Sequence, residues 1–587
     1  MRSLLRADRT WELAPPPDTK LIGSIQASLG CSRPFAVLLA QRGGGAWSSL
    51  ITSTADSFHS PFLLPDMDAA VARLVRAIEH PERIFIHGDF DVDGLTGAAV
   101  LYRGLRPLFP PHSIKVEVGD RTHGHGLSRG FVRRVIEEGF SLVVTVDCGI
   151  TNIEEIAALK EAGVDTVVTD HHLPLPTLPE AQAIVDAHRE ENRYPNVHLA
   201  GVGVAYKVIC ALYERLGKDE PRHLLDLVAL GTVADLVPLS SDGESENRAI
   251  VREAFEMIAR KEGSSLGLRE LMSKLSVKPE KMSASDIGYL IAPKLNAANR
   301  AGDPKVAFLL LITETVDQAQ YLAEILLDYN RDREIAQNDL VSQAEEMIRS
   351  EGIDPAETGF LFLVGQYWNE GILGLVASNL TDRHRVPAMV LSRGDQISRG
   401  SCRSVGGFDV SACLEAHADL LLQYGGHRMA AGFSVANENL DELEERLGVY
   451  VAKHMPGLAA HHPERIDAEA ELSEIDLALH ESLGSLSPYG PGNPIPRFLL
   501  RDCAFDALTL VGARRQHVKG RITQADRSLP FIAFRLGRHL ERFDEAKRID
   551  VVCHVGFDDW QKAVQIQGID LVSADAGNPA DAASGSP

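Results

Sequence analysis

The stretch HGDFDVDG, residues 87–94, decides the fold, and it follows a short apolar run, RIFIH, at 83–87. Its three aspartates stand at alternate positions, where their charges repel, and holding them together normally requires a cation. The first half matches a calcium-binding EF-hand loop. That loop needs a bidentate glutamate at its twelfth position, which here is Val100, and a helix before it, where this sequence has a strand. The stretch therefore indicates a metal site at the end of a strand, and the EF-hand interpretation fails.

The residues around this stretch alternate between helical and extended patterns. An amphipathic helix is predicted at 69–80, and the extended runs SLVVTV at 141–146 and DTVVT at 165–169 are separated by a helical segment at 152–163. Short β-branched runs that alternate with helices are typical of βαβ units. The sequence thus predicts an α/β domain with a mostly parallel sheet.

Each of these strands ends in potential metal ligands. Asp147 follows the second strand, the triplet from Asp170 to His172 follows the third, and Asp235 ends a predicted helix at 222–234. The carboxyl ends of parallel strands meet at one edge of a sheet, where ligands bind. One such aspartate alone is more often a helix cap or a turn residue. Together, carboxylates and imidazoles favour Mn²⁺ or Mg²⁺, and an aspartate shared by two ions suits in-line attack on phosphorus.

The bulk composition excludes several classes. The chain has 587 residues, enough for three or four domains, and its seven cysteines lack CxxC spacing, which predicts a reducing cytoplasm rather than a disulfide framework. No apolar run is long enough for a membrane span, and the first residues do not form a secretory signal. The net charge of −23 argues against a nucleic-acid partner, although bound metals and local basic patches weaken that argument.

The segments HGDFDVDG, VDCG, TDHH and ALGTVADLVPL, in this order, resemble the successive motifs of the DHH phosphoesterase superfamily. The resemblance implies hydrolysis of a phosphodiester with two Mn²⁺ or Mg²⁺ ions. His172 would donate or orient a proton, and His87 would be a ligand or the partner of one. The implied metal ligands are Asp89, Asp91, Asp93, Asp147, His171 and Asp235, with Asp147 as the catalytic bridge.

The second half of the chain decides the substrate. The segments SRGSCRS at 398–404 and GGH at 425–427 resemble a DHHA1 domain, and APKLNAANR at 292–300 and GDRTHGHGL at 119–127 resemble segments of the RecJ-type exonucleases. In these two, Asn299 replaces a usual glycine, Gly119 a proline and His125 a tyrosine. The resemblance implies that Arg121, Ser401 and Arg403 bind the 5′-terminal phosphate and that Arg300 acts near the scissile bond. The other implied substrate-binding residues are Lys294, Asn296, Gly425, Gly426 and His427.

The C-terminal segments SPYGPGNPIPRF at 487–498 and HVK at 517–519 resemble the oligonucleotide-binding (OB) barrel of the RecJ type. Its basic groove candidates are Arg497, Arg514, Arg515, Lys519 and Arg521. The resemblance implies a cytoplasmic, monomeric 5′→3′ exonuclease on single-stranded DNA, acting in DNA repair and recombination. Its implied protein partners are a single-stranded-DNA-binding protein and recombination helicases.

Two alternatives stay open. A nanoRNase, cyclic-dinucleotide phosphodiesterase or pyrophosphatase on the same core would lack the barrel after residue 465, and a non-catalytic DNA-binding scaffold would have lost metal ligands. The predicted segments are an N-terminal helical extension (1–60), a DHH catalytic domain (61–310), a long connecting helix (311–352), a DHHA1 domain (353–460), an OB-fold domain (461–573) and a disordered tail (574–587).

Overall fold

The structure is a computed structural model that describes residues 1–5, 9–52, 57–121, 124–241, 243–263, 265–455, 463–545 and 548–573. The predicted tail at 574–587 lies outside the described residues. The chain divides into two compact units: one comprises residues 1–53, 459–489 and 493–587, and the other comprises 54–458 and 490–492.

The strands are β1 (Arg2–Ser3), β2 (Trp11–Leu13), β3 (Ile84–Gly88), β4 (Ile114–Val118), β5 (Leu142–Val146), β6 (Asp165–Thr169), β7 (Ala183–Val185), β8 (Leu361–Gln366), β9 (Ala388–Arg393), β10 (Ile397–Arg403), β11 (Leu421–His427), β12 (Ala430–Ala436), β13 (Glu464–Ile466), β14 (Ala468–Glu469), β15 (Phe498–Val511), β16 (His517–Gln524), β17 (Arg527–Ala533), β18 (Ile549–Asp558) and β19 (Ala563–Ser573). The helices are α1 (Thr19–Leu29), α2 (Arg33–Gly43), α3 (Trp47–Thr52), α4 (Met67–Glu79), α5 (Val92–Leu105), α6 (Arg129–Glu137), α7 (Ile153–Glu161), α8 (Gly201–Arg215), α9 (Leu225–Ala234), α10 (Glu246–Ala259), α11 (Leu266–Lys274), α12 (Ala284–Asp286), α13 (Ala292–Ala301), α14 (Pro304–Ile312), α15 (Val316–Ser350), α16 (Pro355–Thr358), α17 (Leu373–His384), α18 (Val410–Glu415), α19 (Leu440–His454), α20 (Leu477–Gly484) and α21 (Leu540–Glu545).

A parallel sheet in the order β4-β3-β5-β6-β7 forms the centre of the larger unit. Every residue of β3 and β5 is buried, because helices cover both faces of the sheet and leave no polar side. This confirms the predicted mostly parallel α/β domain. The sequence did not predict β4, which carries Lys115 and Glu117, or β7, which has three residues.

The carboxyl ends of these strands lie in one row. Gly88 pairs with Val118 on one side and with Val146 on the other, and Val146, Thr169 and Val185 continue the same row. The residues that follow these positions therefore leave the sheet side by side. Gly88 is required there, because a Cβ on it would lie 2.4 Å from the carbonyl oxygen of Gly94, where the loop folds back into α5.

A second sheet, in the order β11-β12-β10-β9-β8, belongs to the same unit and is covered by α17 and α19. The predicted long helix is α15, whose 35 residues run from Val316 to Ser350. It packs on α11, α13 and α14 through residues such as Leu322 and Leu326, and its later part joins a core with β8 and β9.

The other unit is a closed barrel in which β15 pairs with β16 and β18, and β19 pairs with β17 and β18. It confirms the predicted OB-type barrel. The N-terminal residues belong to this unit: β1 pairs with β19, β2 pairs with β13, and the indole Nε1 of Trp11 donates to Asp570 Oδ2 at 2.8 Å. Helices α1 to α3 follow, so the extension contains the predicted helices and also strands.

Candidate metal centre and phosphate pocket

Three neighbouring strands deliver acidic residues to the shared edge of the parallel sheet. Asp89 follows β3, Asp147 follows β5 and Asp170 follows β6, and the backbone N–H of each continues the ladder to the next strand. All three are buried. Asp147 has a φ of 60°, a left-handed conformation that aspartate and asparagine tolerate better than most residues. The strand register thus brings together the carboxylates that the sequence placed at strand ends.

The HGDFDVDG loop returns at once into α5, and its aspartates also shape that turn. One oxygen of Asp91, Oδ1, accepts the N–H groups of Asp93 at 2.8 Å and Gly94 at 3.3 Å, which caps α5. The carboxylate of Asp93 accepts the N–H groups of Gly201 at 2.6 Å and Val202 at 2.8 Å, at the start of α8. These residues therefore serve as caps and also belong to the acidic cluster.

His171 lies at the centre of the cluster. Its Nε2 is 3.1 Å from Asp147 Oδ1, 3.7 Å from Asp93 Oδ2 and 3.7 Å from Asp235 Oδ2. Burial and the charge of His172 lower the pKa of His171 to about 3, so its imidazole is neutral. A neutral imidazole among carboxylates is a typical arrangement of donors around a divalent metal.

Among the described residues, three groups bring their ligand atoms within 4.8 Å of one another: Asp147, His171 and His172; Asp93, His171 and Asp235; and Asp89, Asp91 and Asp147. Asp147 and His171 each belong to two groups. Burial and neighbouring carboxylates raise the pKa of Asp91, Asp93 and Asp147, and they raise that of Asp235 to about 7. Carboxylates that resist ionisation in each other's presence fit a site that divalent cations neutralise, so the donor set fits Mn²⁺ or Mg²⁺.

Asp170 orients the histidine pair. Its Oδ1 accepts the N–H of His171 at 2.8 Å and lies 2.8 Å from Nδ1 of His172, and its Oδ2 accepts the N–H of Ile150 at 3.0 Å. Burial opposes ionisation of Asp170, but the hydrogen bond and charge of His172 lower its pKa to about 2. The pKa of His172 is lowered by burial and raised more strongly by Asp170, to about 9. Asp170 therefore fixes the His172 ring and keeps a proton on it.

His87 lies outside these three groups. It is buried in β3 with its ring centroid 4.5 Å from that of Phe131, and burial lowers its pKa to about 4. Sequence reasoning missed His125, whose Nδ1 is 3.2 Å from Asp89 Oδ1 and whose ring is 4.6 Å from that of His172. The only sequence signal was its place in the glycine-rich loop, where the family pattern has tyrosine.

A group of half-buried arginines lies next to the acidic edge. Burial lowers the pKa of Arg300, and the charges of Arg121, Arg403 and Arg333 lower it further, to about 9. Like charges gathered under burial are typical of an anion-binding pocket. The sequence predicted Arg121, Arg300 and Arg403, but it missed Arg333, one of several arginines on the charged helix α15.

The start of α17 forms one wall of this pocket. Arg300 donates from Nη1 to the carbonyl of Gly371 at 2.8 Å, and Arg403 donates from Nη1 to Ser401 Oγ at 3.2 Å. A Cβ on Gly374 would lie 2.7 Å from Nη2 of Arg403 and 3.0 Å from Oγ of Ser401. Glycine at 374 therefore lets the two substrate-binding candidates lie against the helix.

The glycine pair of the GGH segment lies in the same sheet as Ser401 and Arg403 and is separated from them by strand β12. In the second sheet Ser401 pairs with Gly432, which pairs with Gly425, and Arg403 pairs with Ala430, which pairs with His427. All of β11 after its first residue is exposed, and Gly426 has a φ of 141°. The pair thus belongs to an exposed edge strand.

Lys294 and Asn296 lie on α13, the helix that carries Arg300. Burial lowers the pKa of Lys294, which interacts electrostatically with Glu334 and Arg333 of α15. Both residues are half-buried, and α13 packs against α15.

The barrel unit presents basic and aromatic side chains of its own. Of the five predicted groove residues, Arg497 pairs with Glu464 at 3.2 Å and Lys519 with Asp558 at 3.3 Å, while Arg521 donates to Ser528 Oγ at 3.0 Å. Arg514 and Arg515 lie in the loop between β15 and β16. Sequence reasoning missed Trp560, which is 95% exposed in the turn between β18 and β19.

The sheet edge, its ligand set and the second α/β domain define the class of protein. A family model described as "DHH family, N-terminal domain" matches residues 83–232, one described as "DHHA1 domain" matches 357–453, and one described as "RecJ OB domain" matches 466–569. The chain therefore has the domains of a DHH phosphoesterase together with a RecJ-type barrel.

The relatives narrow this class to one family. The single-stranded-DNA-specific exonuclease RecJ of Bacillus subtilis is 33% identical over 564 residues, which cover 95% of this chain and 70% of that protein. The protein of the same name from Escherichia coli is 32% identical over 455 residues, covering 74% of this chain and 78% of that protein. The chain belongs to the RecJ family.

Solved structures of this family have the same fold. The crystal structure of RecJ from Thermus thermophilus in complex with Mn²⁺ superposes with a TM-score of 0.81 at 28% identity, covering 97% of this chain and 80% of that one. Its complex with Mg²⁺ gives a TM-score of 0.72 at 27% identity, covering 97% and 79%. Among the described residues of this chain, no helix is both long and apolar enough to cross a membrane.

Proposed function

We propose that this chain is a metal-dependent exonuclease that removes nucleotides from the 5′ end of single-stranded DNA. The relatives above bear the name single-stranded-DNA-specific exonuclease. The observation that carries the proposal is an acidic cluster suited to divalent cations beside a group of half-buried arginines, within one unit of the chain. The first binds a phosphodiester through metals, and the second binds a terminal phosphate.

Six residues would hold two Mn²⁺ or Mg²⁺ ions: Asp89, Asp91, Asp93, Asp147, His171 and Asp235. When bound, these ions would polarise the phosphodiester and offset the charge that develops on it. Asp147 would bind both ions, since its carboxylate belongs to two of the three ligand groups. Asp170 would take no ion, because His171, His172 and Ile150 already share its oxygens.

The pocket residues would determine that digestion starts at the 5′ end of the strand. Arg121, Ser401 and Arg403 would bind the 5′-terminal phosphate, and Arg300 would contact the next phosphate, the one that is cut. Guanidinium groups bind phosphate oxygens in pairs of charge-assisted hydrogen bonds. Lys294, Asn296, Gly425, Gly426 and His427 would line the path of the strand beyond.

In the reaction, a water molecule gives up a proton to the solvent and its oxygen bonds to the phosphorus. The bond from phosphorus to the 3′ oxygen of the terminal nucleotide breaks, and this 3′ oxygen takes a proton. His172 would donate or orient this proton, because Asp170 holds its Nδ1 and leaves Nε2 for the reacting groups. The remaining strand then carries a new 5′ phosphate. Each round therefore regenerates the end group that the pocket binds.

The barrel unit would bind the part of the single strand that lies on the 3′ side of the cut. An OB barrel binds single strands through basic side chains and aromatic faces, commonly on the loops between its first and second and its fourth and fifth strands. Those loops carry Arg514, Arg515 and Trp560. This barrel also favours an exonuclease over a nanoRNase or cyclic-dinucleotide phosphodiesterase, and the complete ligand set disfavours a non-catalytic scaffold.

The test is digestion of end-labelled substrates in Mn²⁺. We expect 5′-phosphorylated single-stranded DNA to be shortened from its 5′ end, while RNA and cyclic dinucleotides react more slowly. Loss of label from the 3′ end first, or no digestion of single strands, would refute the proposal. Delivery by a single-stranded-DNA-binding protein and recombination helicases, a monomeric state and a cytoplasmic location stay predictions from the resemblance.

A further inference from the structure

One amide side chain joins two loops that carry different parts of the proposed site. Asn299 lies in the last turn of α13, and its Nδ2 donates to the carbonyl of Phe90 at 3.1 Å and to that of Gly119 at 2.8 Å. Its Oδ1 accepts the backbone N–H of Arg121 at 3.1 Å. Both donor hydrogens and the acceptor of the amide are therefore used.

Phe90 makes a second connection between the same loops. It stands between Asp89 and Asp91 in the acidic cluster, and the guanidinium carbon of Arg121 lies 4.3 Å from the centroid of its ring. A cation over an aromatic face is attracted to it, and burial strengthens the attraction. The arginine of the phosphate pocket thus rests on the residue that separates two metal-ligand candidates.

This connection adds a restraint at a position where the family pattern has a stiffer residue. Gly119 stands where the family pattern has proline, whose ring would fix the backbone, whereas glycine leaves it free. Asn299 stands where the pattern has glycine, and its amide holds Gly119 and Arg121 directly. The restraint is supplied from a neighbouring helix instead of from within the loop.

We propose that Asn299 and Phe90 set the distance between the metal cluster and the 5′-phosphate pocket, and so fix the number of nucleotides removed in each round. The inference rests on the proposed function, in which Arg121 holds the terminal phosphate. With the end phosphate held at one distance from the cluster, only the first internal phosphate reaches the reacting position. A loosened connection lets the next phosphate reach it as well, and dinucleotides are then released.

The test compares N299A and F90L with N338A, a control at an exposed position in the middle of α15. Alanine favours a helix more than asparagine does, so N299A removes three hydrogen bonds without weakening α13. F90L keeps an apolar side chain and removes the ring face. Each protein, loaded with Mn²⁺, digests DNA labelled on its 5′ phosphate, and chromatography separates labelled mono-, di- and trinucleotides. The ratio of kcat/KM for 5′-phosphorylated and 5′-hydroxyl strands is measured in parallel.

We expect the wild type and N338A to release mononucleotides and to prefer 5′-phosphorylated DNA. N299A should release a mixture with di- and trinucleotides, and its kcat/KM on 5′-phosphorylated DNA should fall by about 10- to 100-fold, the effect of displacing a binding group by about 1 Å. Activity on 5′-hydroxyl DNA should change little. F90L should show the same mixture with a smaller loss.

Two outcomes would overturn the inference and leave the proposed function standing. The first is mononucleotide release and an unchanged substrate ratio in both variants, even at lower total activity, which would indicate a structural role only. The second is a wild type that already releases mixed lengths from the 5′ end. A wild type that digests from the 3′ end, or does not digest single strands, would overturn the inference and the proposed function together.

Discussion

Replacing Asp147 by asparagine should stabilise the metal-free protein while abolishing its activity. The ligand atoms of Asp147, Asp89 and Asp91 lie within 4.8 Å of one another. Two unit charges at that distance repel by about 3.5 kcal/mol at an effective dielectric constant of about 20. Proton binding offsets part of this repulsion, since burial and the neighbouring carboxylates raise the pKa of Asp147. We expect the free energy of unfolding to rise by about 2 kcal/mol. For a domain of about 150–250 residues, this corresponds to a rise of about 4–8 °C in the melting temperature.

The sign of the pH dependence follows from the raised pKa. Because Asp147 binds a proton more tightly in the folded protein than in the unfolded chain, ionisation favours unfolding as the pH rises. The gain from D147N should therefore be largest at neutral pH and disappear as the pH falls towards about 4, where the unfolded aspartate is protonated as well. The left-handed backbone at this position also suits asparagine, so no strain opposes the gain.

With Mn²⁺ bound, we expect the wild type to be more stable than D147N. At about 100 times its dissociation constant, Mn²⁺ stabilises a protein with one such site by about 2.7 kcal/mol, and D147N should lose most of this gain. Melting curves in EDTA and in Mn²⁺ test the expected change in stability, and digestion of labelled single-stranded DNA tests the expected loss of activity. D339N, an exposed change on α15, is the control and should stay within about 0.5 kcal/mol of the wild type. A D147N protein that melts below the wild type in EDTA, or gains as much from Mn²⁺, would refute the reasoning.

Four further predictions concern the metal, the pocket and the barrel. Removal of divalent ions by EDTA should abolish hydrolysis, and Mn²⁺ or Mg²⁺ should restore it; hydrolysis that persists in chelator would exclude the proposed centre. Arg403→Ala should lower kcat/KM on 5′-phosphorylated DNA by about 10- to 100-fold and affect 5′-hydroxyl DNA less, and equal losses would count against the pocket. Changing Arg514 and Arg515 together to alanine should reduce the slope of log K against log salt for single strands by about 1.4, and an unchanged slope would put the strand elsewhere. Trp560→Ala should weaken single-strand binding by about 1–3 kcal/mol, measured by titration of a labelled oligonucleotide; full affinity would exclude stacking on this residue.

The acidic cluster was predictable from the sequence because its candidate metal ligands follow strand ends. β3, β5 and β6 each end in Asp or Asp-His-His, and a parallel sheet must bring those ends to one edge. β4 and β7 were missed, since an edge strand with charged residues and a strand of three residues leave little pattern. Because β7 was not predicted, Asp186, which follows it, was missed as well. This buried carboxylate lies at the same edge and accepts the N–H of His188 at 2.6 Å.

The contacts that join distant segments could not be predicted from the sequence pattern. Asn299 bonds to Gly119 across 180 positions, and Trp11 bonds to Asp570 across 559. Nothing local separates Asn299 from other polar residues on a helix, or Arg333 from its neighbours on α15. Such residues gain their roles from packing between elements, which helix and strand periodicity does not record.

The acidity of the chain, which at first argues against a nucleic-acid partner, would not be the charge that a substrate meets at the site once divalent ions are bound. Five of its carboxylates belong to the candidate metal groups at the sheet edge, where two divalent ions would neutralise most of their charge. Beside them, four half-buried arginines concentrate positive charge: Arg121, Arg300, Arg333 and Arg403. A phosphodiester would therefore meet a positive site on a negative protein. Because the negative surface repels DNA elsewhere, binding would depend on the strand end and the barrel rather than on general attraction, which suits an enzyme that acts at one end of a strand.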